Sequence, residues 1–238
     1  MKLRARSFVS YLERVLQVTI LSEGLLENAL MHSSYVNENP AHQTTNNERL
    51  EFLGDAVLGI IISEKLYEKF PDHREGKLSK YRSALVNEKS LAECAQKIDL
   101  GEYVLLGKGE ASTGGKEKPS ILSDTYEAVL AALYLENGLE LSRKFVLYTM
   151  GDRIECADVR VKKHDHKTRF QEWAQRNMKT IPEYIVLSED GPDHDKVFEI
   201  CVKIRGKEYA RAKGSSKKES EQSCAKIALG MARKGMIS

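Results

Sequence analysis

The chain has 238 residues, 41% of them hydrophobic and 30% charged, with a formal net charge of +2. That is the profile of an ordinary soluble globular protein, long enough for one large domain or two modest ones. No apolar run approaches the ~20 residues of a membrane span, and the basic start at Met1–Arg6 leads to Glu13 and Arg14 rather than a signal-peptide core, so a cytoplasmic protein with no membrane partner is expected.

Cys94, Cys156, Cys201 and Cys224 are scattered without CxxC spacing, which points to reduced, packed thiols rather than a zinc site or a disulfide framework. Charge is uneven along the chain. Residues 165–238 hold 15 Lys and Arg against 11 Asp and Glu, leaving 22 against 24 for the first 164. A basic C-terminal part beside a mildly acidic N-terminal part suggests that the former binds a polyanion.

In chain order, apolar residues recur at helical spacing through Leu25–Met31, Leu50–Phe70, Leu91–Leu100, Ile121–Leu135 and Leu141–Ile154, broken by Pro71 and by glycines at 101, 107, 109, 114 and 115. An all-α domain over residues 1–156 is expected. Its second segment opens with Asn46–Leu58, in which Glu48, Glu51 and Asp55 stand at i, i+3 and i+7, within roughly 60° on a helix. Leu50, Leu53, Val57, Ile60 and Ile61 are expected on the opposite side. Like charges in one column repel, so either a cation sits there or the acids are simply solvated surface charges. Phe52 projects on the carboxylate side, about 40° from Glu48. It is either a subunit contact or a tolerated exposed aromatic. Asn47 either caps the helix that starts at Glu48 or orients a neighbour.

Further along, Asp124 and Glu127 are i, i+3 neighbours on a helix whose Ala128, Ala131 and Ala132 permit close approach to another helix. If it packs beside the first acidic helix, Glu51, Asp55, Asp124 and Glu127 converge on one pocket. Four carboxylates stay ionised together only with a compensating cation. Mg²⁺ suits an all-oxygen site, with Mn²⁺ as a substitute, and such sites serve phosphodiester cleavage. No organic cofactor is implied.

Residues 157–166 are charged and weakly apolar and read as a linker. In residues 167–238, Thr168–Met178 is helical, with Thr168 and Gln171 as a capping box. Tyr184–Ser188, Val197–Ile204 and Glu208–Ala212 have strand composition, with turns at Gly191-Pro192 and Arg205-Gly206. Ser216–Arg233 is a final helix with Ser216 and Glu219 as a second capping box. This order fits a small α+β domain (α-β-β-β-α), a three-stranded antiparallel sheet with both helices on one face. Phe170, Trp173 and Phe198 read as core.

The run Asn47-Glu-Arg-Leu-Glu-Phe-Leu-Gly-Asp-Ala-Val57 resembles the signature of the ribonuclease III family of double-stranded-RNA endonucleases. So do Ala29–Tyr35, Arg74–Ser79 and Ser120–Ala128, in the family's order. The resemblance implies that Glu51, Asp55, Asp124 and Glu127 are the metal-binding catalytic carboxylates, with Glu127 the most sensitive. Glu48 and Glu75 then match supporting acidic positions, and His32 is structural. It also implies a homodimer with Phe52 at the interface, products with 5′-phosphate and 3′-hydroxyl ends, and roles in rRNA-precursor and mRNA processing.

The C-terminal unit is similar to a double-stranded-RNA-binding domain, with contact regions matched by Lys167–Glu172, Gly191–His194 and Gly214–Gln222. Gln171 and Gln175 share a helical face and offer amides to a minor groove; His194 is placed to reach a second groove. Lys217 and Lys218 sit in the first turn of a helix, where cations oppose the macrodipole; phosphate contact explains them better than a solvated charge run. Two other classes are considered: a catalytically inactive duplex-RNA-binding protein using the first domain as a scaffold, and an all-α metal-dependent nucleotide hydrolase. Retention of all four carboxylates disfavours the first, and the appended module the second.

Overall fold

The computed structural model describes residues 2–21, 24–40, 45–159, 165–192 and 196–237. The chain separates into two compact units, Met1–Ala157 and Asp158–Ser238. The first is all-helical: α1 (Lys2–Leu16), α2 (Gly24–Ala29), α3 (Ser33–Glu38), α4 (Glu48–Lys69), α5 (Glu75–Leu85), α6 (Glu88–Lys97), α7 (Lys108–Ser112) and α8 (Pro119–Glu155). The helices α1, α3, α5 and α7 were not among the apolar segments read from the sequence, and α7 lies in the Gly/Lys-rich stretch 107–119 that reads as a loop; α3 and α7 bury no residue and α5 only Tyr81 and Leu85, which leaves little periodic signal.

The helix α8 is two arms joined at Gly138, whose φ of 79° and ψ of −178° are open to glycine and hardly to any other residue. Were it straight, Tyr126 and Thr149 would stand about 35 Å apart. Instead the second arm folds back, the Tyr126 hydroxyl lies 2.6 Å from Thr149 Oγ1, and the Tyr126 and Phe145 rings are 5.1 Å apart. The resulting hairpin forms the wall against which α4 packs, through Leu58, Ile61, Ile62 and Leu66 on the α4 side, all essentially inaccessible to solvent.

The tightest point of that packing is Gly54. A Cβ there would lie 1.9 Å from the carbonyl oxygen and 2.9 Å from the Cα of Glu127. Only a residue without a side chain lets the two backbones meet. The start of α4 is fixed independently. Asn47 is 3% exposed; its backbone N–H donates to the Met31 carbonyl at 3.0 Å and its amide to the Ala29 carbonyl at 3.4 Å. It makes no side-chain cap, so of its two expected roles only the orienting one survives. A second correction concerns Ile60, which is 59% exposed. It stands about 80° from Phe52 and about 100° from Ile61, closer to the solvent side than to the core.

The second unit runs α9 (His166–Met178), β1 (Glu183–Asp190), β2 (Val197–Ile204), β3 (Lys207–Gly214) and α10 (Lys217–Arg233), with the strands antiparallel in the order β1-β2-β3. Between β2 and β3, Arg205 and Gly206 both have positive φ, 51° and 79°, as a two-residue hairpin of the primed type requires. Both helices cover one sheet face, where Phe170, Ile200, Val202, Cys224 and Ala228 are buried together and Trp173 packs partly against them. Phe198 departs from expectation. It is half-buried and carries Lys217 Nζ 5.4 Å above its ring.

The caps also shifted. Asp165, not Thr168, caps α9, accepting from the Thr168 N–H at 3.2 Å, because the helix starts two residues early. Ser216 caps α10 as read, but Glu219 reaches back to Ser215 N and Oγ at 2.8 and 2.6 Å. None of the four cysteines is in a disulfide; Cys94, Cys201 and Cys224 are buried, and Cys156 is exposed rather than packed. No helix among the described residues is long and apolar enough to cross a membrane.

The α4–α8 contact yields a prediction. Gly54→Ala forces two backbones apart and costs at least about 3 kcal/mol, a fall in Tm of roughly 6–12 °C by thermal unfolding. An unchanged Tm would show that the helices have room to spare.

Candidate active site and nucleic-acid interface

Glu51 lies one turn before Gly54 on α4, and Asp124 and Glu127 are one turn apart on α8. The backbone contact at Gly54 therefore brings the two acidic segments face to face. Ligand oxygens of Glu51, Asp124 and Glu127 all lie within 4.8 Å of one another, and the three residues are half-buried. Asp55 is exposed and outside that trio, but close enough for its charge to act on both Glu51 and Glu127. Glu48 is exposed and acts electrostatically on Glu51.

Burial pushes the carboxyls of Glu51, Asp124 and Glu127 up, and neighbouring carboxylates add to it. Glu127 is raised to about 8, first by burial and then by Asp55, Glu51 and Asp124. Glu51 is raised by burial, then by Asp124, Glu48 and Asp55. Asp124 is raised chiefly by burial, while a hydrogen bond from Ser123 and the nearby His32 pull it down and Glu88 pushes it up. An all-oxygen donor set whose members are held above their ordinary range by burial and by neighbouring carboxylates fits a hard divalent cation.

His32 and Glu88 are neighbours that sequence reading did not connect to this pocket. His32 Nδ1 caps α3, accepting from the Ser34 N–H at 3.2 Å, and lies 2.8 Å from Ser34 Oγ. Ser34 Oγ in turn accepts from the Gly107 N–H at 2.9 Å. Glu75 is not brought to the trio. It opens α5, accepts from Ser79 Oγ at 2.7 Å, and lines a cleft of ≈ 610 Å³ with Tyr67, His73, Leu78 and Arg82. On α4, whose Tyr67 lines that cleft, Phe52, Ile60 and Tyr67 stand at 82, 59 and 74% exposure, all on one side of the helix.

In the second unit, Gln171 and Gln175 lie on α9, the first half-buried and the second exposed. Lys217 and Lys218 are exposed in the first turn of α10. Lys217 Nζ is 3.4 Å from Glu189 Oε2, and Lys196 Nζ donates to Glu189 Oε1 at 3.0 Å. Glu189 was not singled out from the sequence, because an acid beside Asp190 at a strand end carries no periodic or motif signal. His194 lies outside the described residues.

Comparison with known proteins places this arrangement. The family model described as Ribonuclease-III-like matches residues 22–153, more than half of the chain, and the double-stranded RNA binding motif matches residues 166–230. The chain belongs to the ribonuclease III family. Among its relatives, the Ribonuclease 3 of Syntrophobacter fumaroxidans is 45% identical over 223 residues, covering 92% of each chain. That of Desulforamulus reducens is 47% identical over 215 residues, covering 89% of this chain and 87% of the relative. The solved nuclease domain of ribonuclease III from Campylobacter jejuni, in a structure whose name refers to a region involved in dimer formation, is 44% identical. It covers 61% of this chain and 97% of its own length, with a TM-score of 0.55. A helical nuclease domain followed by a duplex-binding domain makes this family member a double-stranded-RNA endoribonuclease rather than an inactive binder.

The raised Glu127 carboxyl carries a stability consequence. Between the ordinary 4.5 and about 8 the folded state keeps a proton that the unfolded state releases. Stability of the metal-free ribonuclease III therefore falls as pH rises through that window and levels off above it. In EDTA, Glu127→Gln flattens this slope, leaving only what Glu51 and Asp124 contribute, and raises Tm by a few degrees at pH 8. A parent Tm independent of pH over this range would contradict the shift.

Proposed function

We propose that Glu51, Asp55, Asp124 and Glu127 are the catalytic carboxylates of this ribonuclease III, that they hold Mg²⁺ or Mn²⁺, and that they direct water onto phosphodiesters of duplex RNA to leave 5′-phosphate and 3′-hydroxyl ends. The observation that carries this reading is the convergence of Glu51, Asp124 and Glu127 within 4.8 Å at a helix crossing that needs a glycine. When bound, the cation acidifies water and neutralises charge on the phosphorane-like transition state. The chain's own contribution is positional. Two rigid helices supply two carboxylates each, and their anionic oxygens orient the attacking water by its hydrogens. Glu48 is a supporting acid that strengthens the field on Glu51. A cutting unit that ends at Ala157 is followed by a binding unit whose first helix starts at His166, so the linker is shorter at both ends than the expected 157–166.

The active species is a homodimer joined along α4. Phe52 and Tyr67 are fifteen residues apart, about 22 Å along the helix. A two-fold axis near Ile60 sets two α4 helices antiparallel, with Phe52 of the partner subunit against the cleft beside Tyr67. This pairing accounts for three exposed apolar side chains in one stripe and for an open cleft at its far end. It also gives Glu75, which lines that cleft, its supporting role, beside the acidic column of the other subunit. Two acidic pockets then serve the two strands of one duplex.

Gln171, Gln175 and His194 contact minor grooves, and Lys217 and Lys218 the intervening phosphates, so that shape rather than sequence is read. The natural substrates are structured RNAs of the cytoplasm, rRNA precursors and mRNAs among them.

Two measurements bear on this. On a radiolabelled hairpin RNA in Mg²⁺, Glu127→Gln retains binding and loses about 10³-fold or more in cleavage rate, the scale of several kcal/mol of transition-state stabilisation; undiminished cleavage sinks the site assignment. By analytical ultracentrifugation, Phe52→Asp raises the dimer Kd about 30-fold or more, as for a buried aromatic anchor, and populates the 26.9 kDa chain as a monomer. A dimer unaffected by that change places the interface elsewhere.

A further inference from the structure

One carboxylate in the second unit is shared by two ammonium groups that belong to different elements. Glu189, near the end of β1, pairs across the sheet with Phe198 of β2. Its Oε1 accepts from Lys196, immediately before β2, at 3.0 Å, and its Oε2 lies 3.4 Å from Lys217 Nζ, at the start of α10. Lys217 Nζ is also 5.4 Å above the Phe198 ring, whose negative face favours a cation. The two lysines hold the Glu189 carboxyl below the usual carboxylate range, Lys196 more than Lys217. Lys217 carries an intrinsic conflict, since a cation in the first turn of a helix faces the positive end of the macrodipole. Glu189 offsets that conflict in the free protein.

We propose that Glu189 is an internal stand-in for an RNA phosphate: it holds Lys217 and Lys196 together in the free protein and cedes them to the duplex backbone on binding. A carboxylate and a phosphodiester present the same chemistry to the two lysines, a single negative charge over two oxygens. The residue acts by positioning, and it lowers affinity, because binding must uncover a carboxylate next to incoming phosphates. Exposed ion pairs of this kind are weak enough to be exchanged readily. Glu189 thereby sets how firmly the module grips any duplex, without regard to sequence, and favours release of cut product. This rests on the reading of Lys217 as a phosphate contact.

The test is duplex-RNA binding by the full-length protein in EDTA, where no cleavage competes, across a salt series. Glu189→Gln is expected to tighten binding about 3- to 10-fold at low salt and to steepen the dependence of log K on log salt by up to about one, since no cation need be taken up by an uncovered carboxylate. Combining it with Lys217→Ala and Lys196→Ala should abolish the gain. A residue serving only to stabilise the fold would shift Tm and weaken binding without steepening the salt slope. Unchanged or weaker binding by Glu189→Gln, with Lys217→Ala/Lys196→Ala still reducing affinity in the parent, overturns the proposal alone. If the lysine pair can be removed with no loss of affinity, the phosphate-contact reading falls, and this proposal with it. Glu189→Ala provides a second variant with the same expected direction.

Discussion

The acidic pocket depends on one contact, the meeting of the α4 and α8 backbones at Gly54 and Glu127. With a Cβ position 1.9 Å from a carbonyl oxygen, there is no tolerance for a side chain. Everything acidic in the pocket is arranged about that point. Glu51 precedes it by a turn on α4, Glu127 forms its other half, and Asp124 precedes Glu127 by a turn on α8. The apolar residues beyond it, from Leu58 to Leu66, hold the crossing rigid. Alanines at 128, 131 and 132, all fully buried, keep the α8 side equally slim.

What this closeness creates is an electrostatic debt. Carboxylates gathered within 4.8 Å and partly withdrawn from water have a raised proton affinity, Glu127 most of all. A fold selected for stability alone would not assemble such a group. Its persistence is intelligible when a divalent cation is the missing partner, since the same repulsion that weakens the metal-free protein becomes affinity for the ion. Gly54, the Gly138 kink and the buried Asn47 anchor are the means by which the rest of the unit sustains that strain.

The RNA-binding unit meets a similar problem with the signs reversed. Cations must be displayed to phosphates, yet in the free protein they repel one another and the helix terminus. Here the structure supplies acids: Glu189 for Lys196 and Lys217, and Glu221 for Lys167. Lys167 also lies 4.7 Å from the Tyr184 ring centroid and ties α9 to α10 through Gln222, a fixed structural role. Pairs at the surface can exchange partners; pairs that join helices keep them.

The sequence by itself determined the fold class, the long α4, the two arms of α8, the three strands and the residues of the acidic column, because all of these rest on local periodicity, turn chemistry or motif. It also marked Phe52 as misplaced for a core. Tertiary structure decided what local patterns do not encode. The short helices α3 and α5 bury too little to show a period, Asn47 spends its amide on the Ala29 carbonyl instead of a cap, and Ile60 falls on the solvent side of a helix whose apolar arc is wide. Above all, the motif displayed Gly54 without its reason. A glycine in a helix looks like a weakness until the second backbone that touches it is known, and that backbone lies more than seventy residues further along the chain.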